Sequence, residues 1–524
     1  MTNSRSIQGI IVLIVGLILA VWLGLSIATN QTETIIQVIA AAVLITCLAL
    51  GRRIWLLIPF LGSVELSLRI PGQPTTLLLA QLLVLGFSTL LLLMRKLPFR
   101  LRFTELEGWL LVLSLVILQA YLRNPVGLNI FGGDSVGGRP YALFALSILV
   151  ALLFCGLKVP INDLKAIIKV SILGGLINFG TSVIGYFVPT IGFYTGGSYV
   201  NTGVSNYENF GTAVDTTQST RIGALTTASR NVALWIATFV SPLKALLHPF
   251  WAPLLLFVIF GAAFSGFRSA VVTAGTLLLV GLACRGGVTS LFTAALGGIA
   301  AVTLLAVVNL IHPFPPNVQR ALSFIPGTWE AKYVDDATGS TDWRVEIWRE
   351  ALLTDRWIKN KWLGDGLGFS AHELAYQMNA KKNNATGISG LDFHRETIMS
   401  NGDYHSTLVS GIRTAGYIGL FILILATFRL AVHAHRLIRI HRHDEFFPLC
   451  LFVGIPLIAA PLFLFVGSGN FAGVASSYIL GIAMIRLLEN NLPLPQIAAS
   501  SLPKFPRQLP AGRNRSLPAA ALTR

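Results

Sequence analysis

The sequence predicts an all-α polytopic membrane protein, with about 12–14 transmembrane helices and one large, partly helical extracytoplasmic loop. Three observations carry that expectation. Of the 524 residues, 54% are hydrophobic and only 12% are charged, about half the charge of an average soluble domain. The apolar residues fall in runs of about 17–25, the length that crosses a hydrocarbon core of roughly 30 Å. The basic residues lie in short connections between those runs, so the net charge of +16 reads as a topology signal, and no nucleic-acid partner is expected.

Taken in order, the expected spans are 7–28, 35–50, 53–70, 75–94, 106–123, 141–157, 164–188, 231–247, 250–266, 267–285, 288–311, 407–432, 447–467 and 471–488. The first follows Arg5, exceeds a secretory apolar core in length and lacks a small-residue cleavage pattern, so it is expected to remain as a membrane helix. The third contains Pro59, Glu65 and Arg69, which predicts a short, broken or re-entrant segment. Residues 1–490 thus read as one transmembrane domain, and 491–524, rich in Pro and basic residues, as a disordered cytoplasmic tail.

Orientation follows from Lys and Arg. Arg95, Lys96, Arg100 and Arg102 lie in the 95–105 connection, Arg436, Arg439 and Arg442 in 433–446, and Lys158, Lys165 and Lys169 bracket a third. If every span crosses, these share one side with both termini, the cytoplasm, and the long loops 189–230 and 312–406 lie outside. Cys47, Cys155, Cys284 and Cys450 fall near cytoplasmic ends of spans, so no disulfide framework is expected in the outer loops.

Those outer loops hold the candidate chemistry. Arg221 stands in polar sequence beside a membrane helix, where a guanidinium either anchors the loop at headgroups or grips a phosphate through two parallel hydrogen bonds. The large loop contains a helical stretch from Asp342 to about Trp357, with Ser340, Thr341 or Asp342 as cap. Arg344, Ile347, Trp348, Ala351 and Leu352 share one face of it, and Trp343, Trp348 and Trp357 suit an interfacial position. Arg344 on that face either snorkels, pairs with Glu346 or a neighbour, or binds a ligand. Gly364, Gly366 and Gly368 follow a helix instead of a strand, which predicts a turn and not a nucleotide loop. His405, beside Asp403 and Tyr404, sits at the outer end of a membrane helix, as a solvated or capping residue or as a proton acceptor near neutral pH. Arg268 opens another helix, where anchoring is the ordinary role. His433, His435, His441 and His443 alternate with arginines that would repel a metal ion, and no zinc, Walker or paired-cysteine motif is present.

The order Trp343-Arg344-x-x-Ile347-Trp348, Trp362-Leu-Gly364-x-Gly366-x-Gly368, His405 and Gly416-x-Ile418-Gly419 resembles the signature region of the O-antigen ligase and O-antigen polymerase family. Arg221-x-Gly223 is similar to that family's preceding arginine motif, and Ser265-Gly-Phe-Arg268 to its Ser-Arg helix start. The resemblance covers roughly residues 210–425. It departs at Ser406, where the family has asparagine, and at Ala228-Ser229-Arg230-Asn231, where it has a Pro-Asn pair. The resemblance implies a metal-independent membrane glycosyltransferase without cofactor. Its donor would be a glycan on undecaprenyl pyrophosphate and its acceptor a glycan, lipid A core or protein hydroxyl outside the inner membrane, in contact with membrane lipids. It implies His405, Arg344 and Arg221 as catalytic residues, and Arg221, Arg344, Arg268 and Trp348 as substrate-binding ones. The residue chemistry agrees with these roles. A diphosphate leaving group needs positive charge where its own develops, and an attacking hydroxyl needs a base. The alternative is a polysaccharide or lipid transporter or flippase, which would place ionisable residues at mid-membrane; Asn178 and Arg413 are among the few candidates.

Overall fold

The computed structural model describes residues 45–68, 74–127, 137–188, 221–368, 404–466 and 469–493, with isolated positions 43, 192, 195, 395, 398, 399 and 402. The expected span 7–28, most of 35–50, most of the 189–220 loop, Asp403 and the tail from 494 lie outside the described residues. Among the described residues the protein is all-α: isolated bridges join Ser67 with Thr75 and Phe99 with Leu157, and no strand occurs. Nine helices there are long and apolar enough to cross a membrane.

The segment Ile45–Val64 (α1) turns at Gly51 (φ 50°), continues as a 3-10 helix over Gly51–Leu56 and as an α-helix over Leu57–Val64. It stops at the left-handed Glu65 (φ 48°), so the span expected to reach residue 70 is a short one. Its end is closed by the bundle: the Asn178 amide donates to the Val64 carbonyl at 2.6 Å, satisfying a group that a helix end leaves free. The polar residue that a transporter reading would use is therefore a cap.

Thr76–Leu93 (α2) and Glu105–Arg123 (α3) follow, the first capped by Thr75 and the second by a Thr104–Glu107 capping box. Next come Arg139–Gly156 (α4) and Ile161–Phe187 (α5). Gly223–Phe239 (α6) starts eight residues ahead of the expected 231–247 span. Its first turns, with Thr226, Ser229 and Arg230, look like loop by composition. They are helical because they find partners: Ala228 and Ser229 are buried, and Arg230 pairs with Glu65 at 2.6 Å.

Trp251–Phe264 (α7) leads through a tight turn into Arg268–Ile311 (α8). This 44-residue helix breaks at Gly287 (φ 68°, ψ −159°), a conformation open only to glycine, and its halves are the two expected spans. Pro316–Leu322 (α9) and Ala331–Leu353 (α10) belong to the large loop. Thr407–Ile440 (α11), Phe447–Val466 (α12) and Phe471–Asn491 (α13) complete the fold. Because α11 runs to Ile440, His433, His435, Arg436 and Arg439 are helical, correcting the loop expected at 433–446. The core forms where α11 packs on α12, α13 and α3, and α4 packs on α13.

Ion pairs bring the basic connections to one end of the bundle. Arg53 meets Asp163 at 2.9 Å, Lys165 meets Glu445 at 2.7 Å, and Arg429 meets Glu105 at 3.4 Å. Arg486 joins Glu107, Glu489 and the Arg102 carbonyl, and Arg442 donates to the Arg285 carbonyl. Arg221, Arg268, α9, α10 and His405 cluster at the opposite end. The four cysteines are free thiols.

Candidate active site

Three loop segments meet where α6 begins and α7 turns into α8. The Ile222 N–H donates to the Ser265 carbonyl at 2.9 Å, which fixes Arg221 beside that turn, its guanidinium 5.9 Å from the Phe267 ring centre. The turn passes through Gly266 at φ 73°. Arg268, just beyond it, reaches across to α10, donating to the Ala337 carbonyl at 2.8 Å and the Thr341 hydroxyl at 3.1 Å.

The residue that ties these pieces together is Arg320 on α9, which sequence reasoning passed over. Only 4% exposed, it pairs with Asp336 of α10 and donates to the Gly266 carbonyl at 2.6 Å. One side chain thus fixes the α7–α8 turn against α10. It also explains why α10 begins at Ala331 instead of Asp342: Asp336 and Ala337 are held in helical geometry by Arg320 and Arg268. Asp342 is an interior residue, and the N-cap position expected at 340–342 is taken by Glu330, whose side chain makes no capping hydrogen bond. The helix also ends at Leu353, leaving Trp357 outside it, its indole donating to Glu350 at 2.7 Å.

Ala337, Thr341 and Arg344 lie at helical spacing on one face of α10. Arg344 therefore joins Arg268 and Arg320. Burial first, then the positive charge of Arg268 and Arg320, holds its guanidinium below the ordinary arginine range. Its Nε is buried and has no hydrogen-bond partner among the described residues. The acid expected as its partner is committed elsewhere, since Glu346 binds Arg395 at 2.8 Å.

His405 meets the adjoining face of the same helix. Its ring centre lies 5.9 Å from that of Trp343, the neighbour of Arg344. The backbone at His405 is left-handed (φ 49°), an uncommon conformation for a residue with a side chain. Two anchors hold it there. Trp348 donates its indole N–H to the Tyr404 carbonyl at 2.7 Å, and Ser406 caps α11 by accepting from the Val409 N–H. Tyr404 does not turn toward the imidazole. Its ring is fully buried in an apolar cluster with Ile347, Ala351 and Met399. Burial pushes its phenol up to about 12, and its hydroxyl has no partner among the described residues. Trp348, expected at the substrate, spends its polar atom on the backbone and so positions His405.

The glycine segment supports the same turn from below. Gly364 and Gly366 have φ of 75° and 95°, and they dock on the break in α11 at Gly416 (φ 70°, ψ 179°). Gly366 N–H donates to the Thr414 carbonyl at 3.0 Å, and Tyr417 N–H to the Lys361 carbonyl at 2.8 Å. A Cβ on Gly416 would stand 2.1 Å from the Trp362 carbonyl oxygen. Arg123 and Tyr141 fasten the segment to α3 and α4 through Gly364 and Leu367. The two glycine motifs, far apart in sequence, are the two halves of one joint. Arg413, 8% exposed, passes directly under Gly402, where a Cβ would meet its Cδ at 2.4 Å.

Expected site residues are thus gathered at one end: Arg221, Arg268 and Arg344 by way of Phe267, Thr341 and Arg320, and His405 by way of Trp343. The histidines in and just beyond α11 belong to the other end, where His433 binds Glu489 at 3.1 Å and His441 binds Asp444 at 2.6 Å. A concentration of guanidinium groups beside an imidazole can hold a multiply charged anion and accept a proton next to it. Compared with known proteins, the chain matches no protein-family model and no curated protein.

Proposed function

We propose that the protein is a membrane glycosyltransferase of surface-polysaccharide assembly, of O-antigen ligase or polymerase type. It moves glycan from an undecaprenyl pyrophosphate carrier to an acceptor hydroxyl outside the inner membrane. The observation that carries the reading is Arg344, a half-buried guanidinium within the electrostatic reach of Arg268 and Arg320, with its Nε unsatisfied among the described residues. Like charges collected at low solvent exposure destabilise one another, and an anion bound between them removes that cost. A pyrophosphate leaving group is such an anion, and its charge grows as the glycosidic bond breaks.

In this reading Arg221, Arg268 and Arg344 grip the pyrophosphate, and His405 takes the proton from the acceptor hydroxyl as it attacks the anomeric carbon with inversion. The donor carries its own free energy, so neither ATP nor a metal enters the reaction. The Lys and Arg bias supports a cytoplasmic position for the basic end and an outward-facing arginine cluster. A flippase would keep ionisable groups along a mid-membrane path. Against that, Asn178 caps α1, and Arg413 packs under Gly402 beside the start of α11.

Cells lacking the protein should accumulate undecaprenyl-linked glycan on the outer face of the membrane, detectable by extraction and mass spectrometry. Accumulation on the cytoplasmic face instead would support the flippase.

A further inference from the structure

At the basic end, far from the arginine cluster, one face of α11 carries Phe428, Val432, His435 and Arg439, and Arg442 follows in the turn just beyond the helix. The spacing of four, three and four keeps the four helical residues on a single stripe. All five are exposed. Three cavities lie along it in succession, and His435 borders each of them. The first, of about 540 Å³, is walled by Phe428 and Val432 with Pro461, Leu462 and Phe465 of α12. The second, of about 420 Å³, adds Arg436 and Arg439. The third, also about 420 Å³, runs under the Gly287 break of α8 and adds Arg442.

The groove changes character along its length. It is apolar within the span and basic at its end. Among the described residues, no acidic residue lines any of the three cavities. The acids nearby are committed: Glu105 to Arg429, Glu489 to Arg486 and His433, Asp444 to His441, Glu445 to Lys165. Arg436 and Arg439 form no ion pair among the described residues, and Arg442 donates to a carbonyl. A cationic rim at the interface above an apolar trough at membrane depth is complementary to one class of molecule, with acyl chains below and a phosphate above.

We propose that this groove is a specific site for an anionic glycerophospholipid, its acyl chain along Phe428, Val432 and Phe465 and its phosphate between Arg436, Arg439 and Arg442. The site is independent of the transferase reading and stands or falls separately from it.

The test uses the full-length protein in neutral detergent, titrated with phosphatidylglycerol and, as control, phosphatidylcholine, with bound lipid read by native mass spectrometry. Phosphatidylglycerol should bind in preference. Arg436→Gln with Arg439→Gln should weaken it by about thirtyfold, since the two interfacial cations together contribute roughly one and a half tenfold steps. Arg436→Lys with Arg439→Lys should keep most of the affinity. Val432→Trp, which fills the trough without changing charge, should also displace the lipid, and it replaces the Gln pair if that variant fails to fold. Equal binding of phosphatidylcholine, competition by inorganic phosphate alone, or unchanged affinity in the Gln or Trp variants would overturn the proposal.

Discussion

Arg344→Lys should lower glycan transfer by about a hundredfold or more while the protein still inserts and folds, the loss expected when one preorganised donor to a developing oxyanion is removed. Lysine keeps the nominal charge but not the planar, two-point grip on phosphate oxygens. The surroundings add a second penalty. Burial, Arg268 and Arg320 already hold the Arg344 guanidinium below its ordinary range. A lysine ammonium, with an ordinary pKa of about 10.4, would be pushed down in the same place. The charged form is the useful one, so whatever activity the Lys variant retains should fall as pH rises through that lowered value. Wild type, with a guanidinium, should show no such loss over the same range. Transfer measured across pH with matched amounts of inserted protein decides it. Normal activity in Arg344→Lys, and likewise in Arg221→Lys, would reduce both residues to interfacial anchors.

His405→Ala should leave lipid-linked donor bound but slow its conversion by about 10²–10⁴, the usual worth of a general base. Because His405 has φ of 49°, alanine also imposes backbone strain, and His405→Asn is the control, since asparagine tolerates the left-handed region. His405→Gln separates two roles, because an amide can orient a hydroxyl but takes no proton. Near-full turnover in His405→Gln would make the imidazole a positioning group.

Much of the fold was legible from apolar run length alone, including the break between 285 and 288, where two runs meet at a glycine that the structure holds at φ 68°. The misplaced helix starts share one cause. Residues 223–230 and 331–341 mix helix formers with Gly, Thr, Ser or Asp, so local propensity reads them as loop. They are helical because distant charges claim them, Glu65 for Arg230 and Arg320 for Asp336. Propensity is a weak prior that tertiary contacts override. The same limit hid Arg320. A lone arginine on a seven-residue helix has no local signature, and its weight comes from the Asp336 carboxylate and the Gly266 carbonyl it joins. The glycine motifs were visible as turns, but that Gly364 and Gly416 face each other across one joint depends on packing between segments fifty residues apart.

The most direct test of the transferase account is reconstitution. Purified full-length protein in liposomes is supplied with undecaprenyl pyrophosphate-linked glycan and an acceptor glycan, without nucleotide, and free undecaprenyl pyrophosphate is measured together with the extended acceptor. The account predicts that the two products appear in equal amounts, and that both vanish in Arg344→Lys. Movement of the intact donor across the bilayer with no release of undecaprenyl pyrophosphate would contradict it.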